Sequence, residues 1–195
     1  MLSQPGYAIR GVFLASVLLV MLTTFVTANT TFAVSPVAQS PAANGFDQET
    51  LVDSGNECRV SQAYPEKVLR WCKLITRYAA KHDLPPDLIA ALIWQESGGS
   101  PTAYSRSGAV GLMQIMPRDG IAASFKCPNG PCFSKRPTID ELRDPEFNIK
   151  FGTRMLAGLF KRQGNLRDAL KSYGPMDSGY YYADKVLAIY EHYGN

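Results

Sequence analysis

The sequence predicts an all-α domain that follows an N-terminal targeting segment and a flexible linker. Three observations carry this. Apolar residues recur at helical spacing through most of residues 57–195. Helix start and stop signals bracket those runs. Strand signals are sparse, and residues 97–110 form a Gly/Ser-rich loop. With 46% hydrophobic and 19% charged residues over 195 positions, there is apolar material for one packed core, which excludes a wholly disordered chain.

Residues 1–28 read as the targeting segment. Arg10 precedes an uncharged stretch from Gly11 to Ala28 whose centre is VFLASVLLVML. Val26 and Ala28 suit the third-last and last positions before a signal-peptidase cut ahead of Asn29. The alternative is an uncleaved membrane anchor through residues 11–28, at the short end of what spans a bilayer. Residues 29–56 are rich in Ser, Thr, Ala, Pro, Gln and Asn, with no sustained apolar period, and read as a disordered linker.

In the domain, 57–195, Val68, Trp71, Leu74, Ile75 and Tyr78 share one helical face, and Pro65 suits its first turn. Pro85-Pro86 open a second helix, Asp87 to Glu96, which Gly98-Gly99 stop. Thr138-Ile139-Asp140-Glu141 has the capping-box pattern. Asp144-Pro145 open a long helix with Phe147, Phe151, Met155 and Leu159 on one stripe. Gly164-Asn165 separate it from a helix ending near Tyr173, and a last helix runs from Tyr181 to Tyr193.

Four cysteines follow the targeting segment: Cys58, Cys72, Cys127 and Cys132. An even count in an exported chain argues for disulfides, with three connectivities open. Cys127 and Cys132 flank Pro-Asn-Gly-Pro, which is turn chemistry and closes naturally. Cys58 and Cys72 then tie the start of the domain to its first helix. Four thiols or a zinc site are the alternatives. The irregular spacing and the lack of a nearby His speak against zinc.

Charge excludes more. The chain carries a net charge of +3, too mild to argue for nucleic acid. Residues 1–56 hold Arg10 against Asp47, Glu49 and Asp53, so the remainder is more basic, at +5, and suits an anionic polymer. His82 and His192 lie far apart, and neither sits in a metal-ligand spacing, which leaves little room for a zinc enzyme or a Ser-His-Asp arrangement. No phosphate-binding glycine loop is present, and neither metal nor cofactor is expected.

Glu96 is the candidate catalytic residue. It follows Ile89, Leu92 and Ile93 on the apolar stripe of its helix. Burial raises a carboxyl pKa, and the negative end of the helix disfavours the anion further. Both effects keep the group protonated, as a proton donor to a leaving oxygen requires. The alternative is a structural Glu paired to a cation or reaching solvent.

The residues that follow decide between these. Glu96-Ser97, then Pro101, Ala103, Ser105, Gly108-Ala109, Gly111-Leu112-Met113-Gln114, then Met116-Pro117, resemble the soluble lytic transglycosylases, a lysozyme-like family of glycoside hydrolases. Asp144-Pro145, Asn148-Ile149 and Gly152 match a further block, and the resemblance covers about residues 65–193. It implies a lysozyme-like helical domain with an active-site groove. It also implies an enzyme, and a monomer is expected.

The implied chemistry is cleavage of the β-1,4 bond between N-acetylmuramic acid and N-acetylglucosamine in peptidoglycan glycan strands. The products carry 1,6-anhydro ends, and Glu96 is the single catalytic acid. By resemblance, Ser105 hydrogen-bonds near the substrate acetamido group. Gln114, Met113 and Met116 line the groove, Tyr173 holds Glu96 through its hydroxyl, and Tyr182 belongs to a closing cluster of tyrosines that suits sugars. The implied location is outside the cytoplasm: periplasm, cell wall or beyond.

One departure stands out. The family usually has Ala-Tyr-Asn-Ala-Gly where this chain reads Lys171-Ser172-Tyr173-Gly174-Pro175. The tyrosine is kept and the asparagine is replaced by Gly174. Two alternatives to the transglycosylase reading follow. One is a hydrolase of the same bond, similar to goose-type lysozymes. The other is a peptidoglycan-binding module without chemistry.

Overall fold

The computed structural model describes residues 57–194. The expected targeting segment, 1–28, and the expected linker, 29–56, lie outside the described residues. Seven α-helices are present among those described, and the fold class is all-α as expected: α1 (Glu66–Leu69), α2 (Cys72–Ala80), α3 (Pro86–Ser97), α4 (Ile139–Arg143), α5 (Pro145–Gln163), α6 (Leu166–Tyr173) and α7 (Tyr181–Tyr193).

The helix α3 is the centre of the core. Six consecutive residues, Leu88 to Ile93, are each 0% exposed. A helix apolar on every side needs neighbours on every side. Here α1, α2 and α7 pack against it. Fully burying a Leu or Ile stabilises by roughly 1.5–3 kcal/mol, so this run anchors the fold. Pro85 precedes the helix and Gly98, at φ 58°, closes it with its N–H on Trp94 O.

The first expected helix is two. Residues Arg70 and Trp71 interrupt it, with Trp71 at φ −96°, ψ 1°. Tertiary bonds override the helical period here. The Trp71 indole N–H donates to Gly99 O at 3.0 Å, and Cys72 is bonded to Cys58.

The caps form as the sequence predicts. Thr138 and Glu141 make a reciprocal capping box on α4. Asp144 accepts from Phe147 N–H at 2.6 Å to start α5, and Asn165 accepts from Asp168 N–H at 2.9 Å to start α6. The fully buried side of α5 is Asn148, Ile149, Gly152, Thr153 and Leu156, offset from the Phe147–Leu159 stripe, which is only half-buried. The offset arises because α5, besides packing on α2, α4 and α6, meets the backbone and Met113 of the 110–113 segment through Asn148, Gly152 and Thr153. Small and polar residues are what that segment accepts.

Between α3 and α4 the chain is irregular. Tyr104, Val110 and Ile115 form isolated antiparallel bridges. A two-stranded hairpin follows, β1 (Lys126–Cys127) with β2 (Gly130–Pro131). The Cys127–Cys132 disulfide closes it, and Cys58–Cys72 ties the first described residues to α2. Among the described residues no helix is long and apolar enough to cross a membrane.

Candidate active site

Glu96 sits in the last turn of α3, where the helix leaves the core. Its carboxyl is half-buried, so it faces the surface without being freely hydrated. Burial pushes its pKa from 4.5 up to about 7, against an opposing hydrogen bond from Tyr182. No second carboxylate among the described residues contributes to that shift.

The next residue fixes the helix end. Ser97 Oγ lies 2.9 Å from Leu112 O and 3.2 Å from Ile93 O, and its hydroxyl donates toward both. The Glu-Ser pair is thereby joined to the Gly-Leu-Met-Gln segment. That segment is held from the other side by Asn148 of α5, which is 0% exposed. Asn148 Nδ2 donates to Val110 O and Leu142 O, both at 2.9 Å, and its Oδ1 accepts from Met113 N–H at 2.8 Å. Gly111 must be glycine on two counts. Its φ is 79°, and a Cβ there would stand 2.3 Å from Asn148 Nδ2.

Tyr182, and not Tyr173 as expected, meets Glu96. Tyr182, 7% exposed in the first turn of α7, donates its hydroxyl to Glu96 Oε1. Tyr173 does not bond Glu96. Its hydroxyl donates to Met113 O at 2.8 Å. The physical reason is position. Tyr173 ends α6 beneath the 110–115 loop and reaches that loop's backbone first. It is still close enough for the Glu96 charge to help raise its pKa, after burial.

Met113 is corrected outright. It is 0% exposed and packs on Gly152, where a Cβ would lie 2.5 Å from its Sδ. A side chain with no surface cannot line a groove. Its backbone, not its thioether, serves the site. Met116 is half-buried. Ser105 Oγ accepts from Ala109 N–H at 2.9 Å and braces the 105–109 turn, leaving its own hydroxyl proton for another acceptor.

Gln114 holds φ 45°, a left-handed conformation that costs a non-glycine residue about 1 kcal/mol or more. Its side-chain N–H groups donate to Gly111 O at 3.0 Å and Ala103 O at 3.3 Å. Its carbonyl oxygen has no partner among the described residues.

Two residues carry roles that the sequence does not assign. Asn148 is one: it stands in the matched Asn148-Ile149 pair, with no role given by the match. Arg136 is the other. It is half-buried with no carboxylate partner among the described residues, over the Phe151 ring at 5.9 Å and against Met155 Sδ. Burial lowers its pKa. No sequence pattern marks an arginine of this kind. No cluster of metal ligands occurs among the described residues.

Comparisons with known proteins identify the family. A family model described as the transglycosylase SLT domain matches residues 73–176. Membrane-bound lytic murein transglycosylase E of Buchnera aphidicola subsp. Acyrthosiphon pisum is 39% identical over 92 residues, which is 47% of this chain and 40% of that protein. Endo-type membrane-bound lytic murein transglycosylase A of Klebsiella pneumoniae subsp. pneumoniae is 34% identical over 92 residues, 47% of this chain and 44% of that one. The chain thus spans less than half the length of these relatives. Among solved structures, the 70 kDa soluble lytic transglycosylase of Escherichia coli is 25% identical with a TM-score of 0.48, covering 62% of this chain and 23% of that one. The family model spans Glu96, the 110–115 loop and Tyr173, and covers more than half of the 195 residues: the chain belongs to the transglycosylase SLT domain family.

Proposed function

We propose that this protein is a peptidoglycan lytic transglycosylase. It cleaves the β-1,4 bond between N-acetylmuramic acid and N-acetylglucosamine and leaves 1,6-anhydro ends. The observation that carries the reading is Glu96: a half-buried carboxyl with a pKa of about 7, with no second carboxylate acting on it. A pKa near the working pH lets one group donate a proton and then take one back. The murein transglycosylase relatives support the substrate.

The steps balance on that one carboxyl. Glu96, protonated, gives its proton to the glycosidic oxygen as the bond to C1 of the muramoyl sugar breaks. The substrate's own 2-acetamido group stabilises the positive charge at C1, in place of the second carboxylate of ordinary glycosidases. Glu96, now a carboxylate, removes the proton from the C6 hydroxyl. That oxygen attacks C1, closing the anhydro ring and restoring the acid. Ser105 and the free carbonyl of Gln114 are assigned to the substrate's polar groups, and Met116 to the groove wall. Tyr173 and Tyr182 support the site from behind. The reading includes export, with residues 1–28 as the targeting segment, 29–56 as linker and 57–195 as the catalytic domain. Two disulfides suit an oxidising compartment.

Mass spectrometry of muropeptides released from purified sacculi tests it. Anhydro ends are expected. Hydrated reducing ends would mean a hydrolase, and no release by folded protein would mean a binding module.

A further inference from the structure

Gly174 follows α6 and precedes Pro175. Its backbone gives no reason for glycine. It lies at φ −70°, ψ −175°, an extended conformation open to any residue and the one favoured before proline. Its surroundings do give a reason. A Cβ built on Gly174 would stand 2.4 Å from Tyr182 Cδ1, 2.5 Å from Cγ and 2.9 Å from Cε1. These atoms include the root of a ring that is 7% exposed, so the ring has little room to turn away. The same ring carries the hydroxyl that donates to Glu96 Oε1.

We infer that Gly174 is a positioning residue: having no side chain, it lets the Tyr182 ring lie flat on the 173–175 backbone and carry its hydroxyl to Glu96. Any side chain at 174 displaces the ring and the hydrogen bond with it. Gly174→Asn would therefore disrupt the site. The bare backbone at Gly174 and the Tyr182–Glu96 contact are thus two halves of one arrangement. The inference deepens the reading of Glu96 as the acid and rests on it.

The test is Gly174→Ala, which adds one methyl in a permitted conformation. Its effect is read by carbon NMR titration of the Glu96 carboxyl, by turnover and by thermal melting. The carboxyl should titrate higher than in the unaltered protein, as it should in Tyr182→Phe. Turnover should fall about tenfold, the size of one lost hydrogen bond to a charged group, with KM little changed. In a Tyr182→Phe background the same Ala should cost no further turnover, because the two act through one bond. An unshifted titration with full turnover, or additive losses, overturns the inference. Should Gly174→Ala fail to fold, Gly174→Ala with Tyr182→Ala should fold as well as Tyr182→Ala alone. An equal loss of stability in that background also overturns it. Activity in Glu96→Gln would reject the catalytic reading separately and leave the titration and melting results standing.

Discussion

The Tyr182 hydroxyl donates to Glu96 Oε1, joining the first turn of α7 to the last turn of α3. Two opposed effects meet on that carboxyl. Burial favours the neutral acid and the phenol favours the anion; burial dominates and leaves the pKa at about 7. Removing the phenol lets burial act alone. Tyr182→Phe should therefore raise the Glu96 pKa. A proton donor loses activity as pH rises through its pKa, so the alkaline limb of the pH–rate profile should move up. Turnover at neutral pH should still fall, about tenfold, because the acid is no longer aimed. A pH series of muropeptide release checks both effects, and an unmoved limb would show that Tyr182 only packs.

Glu96→Gln should keep the fold and lose cleavage. The amide has the same shape and no proton to give. A positioned acid or base contributes about 10²- to 10⁴-fold, and a group that serves both steps should sit at the upper end. Substantial release by the folded Gln variant would remove Glu96 from the mechanism.

The same variant should be more stable than the unaltered protein, but only at high pH. Folding raises the Glu96 pKa from 4.5 to about 7. Between those values the unfolded chain has lost the proton and the folded one keeps it, so stability falls as pH rises. Below 4.5 both states hold the proton and the penalty vanishes. Glu96→Gln has no such penalty. Its melting temperature should match the unaltered protein at pH near 4 and exceed it at pH near 8. A constant difference across that range would contradict the raised pKa.

The sequence makes the helix order legible because it depends on local signals, and it makes Glu96 a candidate only through the motif that follows it. Pro85-Pro86, the Thr138–Glu141 box and Asp144-Pro145 act over a few residues, and the structure has each cap where its residues stand. What it hides depends on contacts far along the chain. The choice between Tyr173 and Tyr182 rests on which ring reaches Glu96 across the fold, and Tyr173 meets Met113 O first. Met113 reads as a groove residue by its neighbours, yet Gly152 opens a place for it in the core. The break at Arg70–Trp71 depends on Gly99, which no local period reveals.

The two disulfides should differ in worth. Cys58–Cys72 spans 14 positions and Cys127–Cys132 spans 5. Loop-closure entropy gives about 3 kcal/mol for the longer and about 2 kcal/mol for the shorter. Cys72 is also buried, and its Sγ accepts from Val60 N–H at 3.4 Å. Cys127 is exposed on its hairpin. Replacing the first pair by Ser should therefore lower the denaturant midpoint more than replacing the second. The reverse order would show that the hairpin bears on the core.

Asn148 should be the most sensitive polar position of the domain. Its amide satisfies three buried backbone groups, Val110 O, Leu142 O and Met113 N–H. Asn148→Ala leaves Leu142 O and Met113 N–H without that partner, while Val110 O still accepts from Ile115 N–H at 3.1 Å. Each of these two unsatisfied buried groups costs about 1–3 kcal/mol, and a water entering the vacated space recovers part, for a net loss of about 2–4 kcal/mol. A melting temperature lower by roughly 10 °C or more should follow. Activity should fall at temperatures where the variant is still folded, because Gln114 and Leu112 O, the acceptor for Ser97, belong to the loop that Asn148 seats. Asn148→Asp separates size from hydrogen bonding. It keeps the acceptor for Met113 N–H but turns an oxygen toward two carbonyls. Protonated at low pH, it can still donate to one of them; ionised, it repels both. Its stability should therefore fall, relative to the unaltered protein, as pH rises from about 4 to 7. A pH-independent difference for Asn148→Asp, or a melting temperature for Asn148→Ala within about 2 °C of the unaltered protein, would show that the loop is held by its apolar contacts alone.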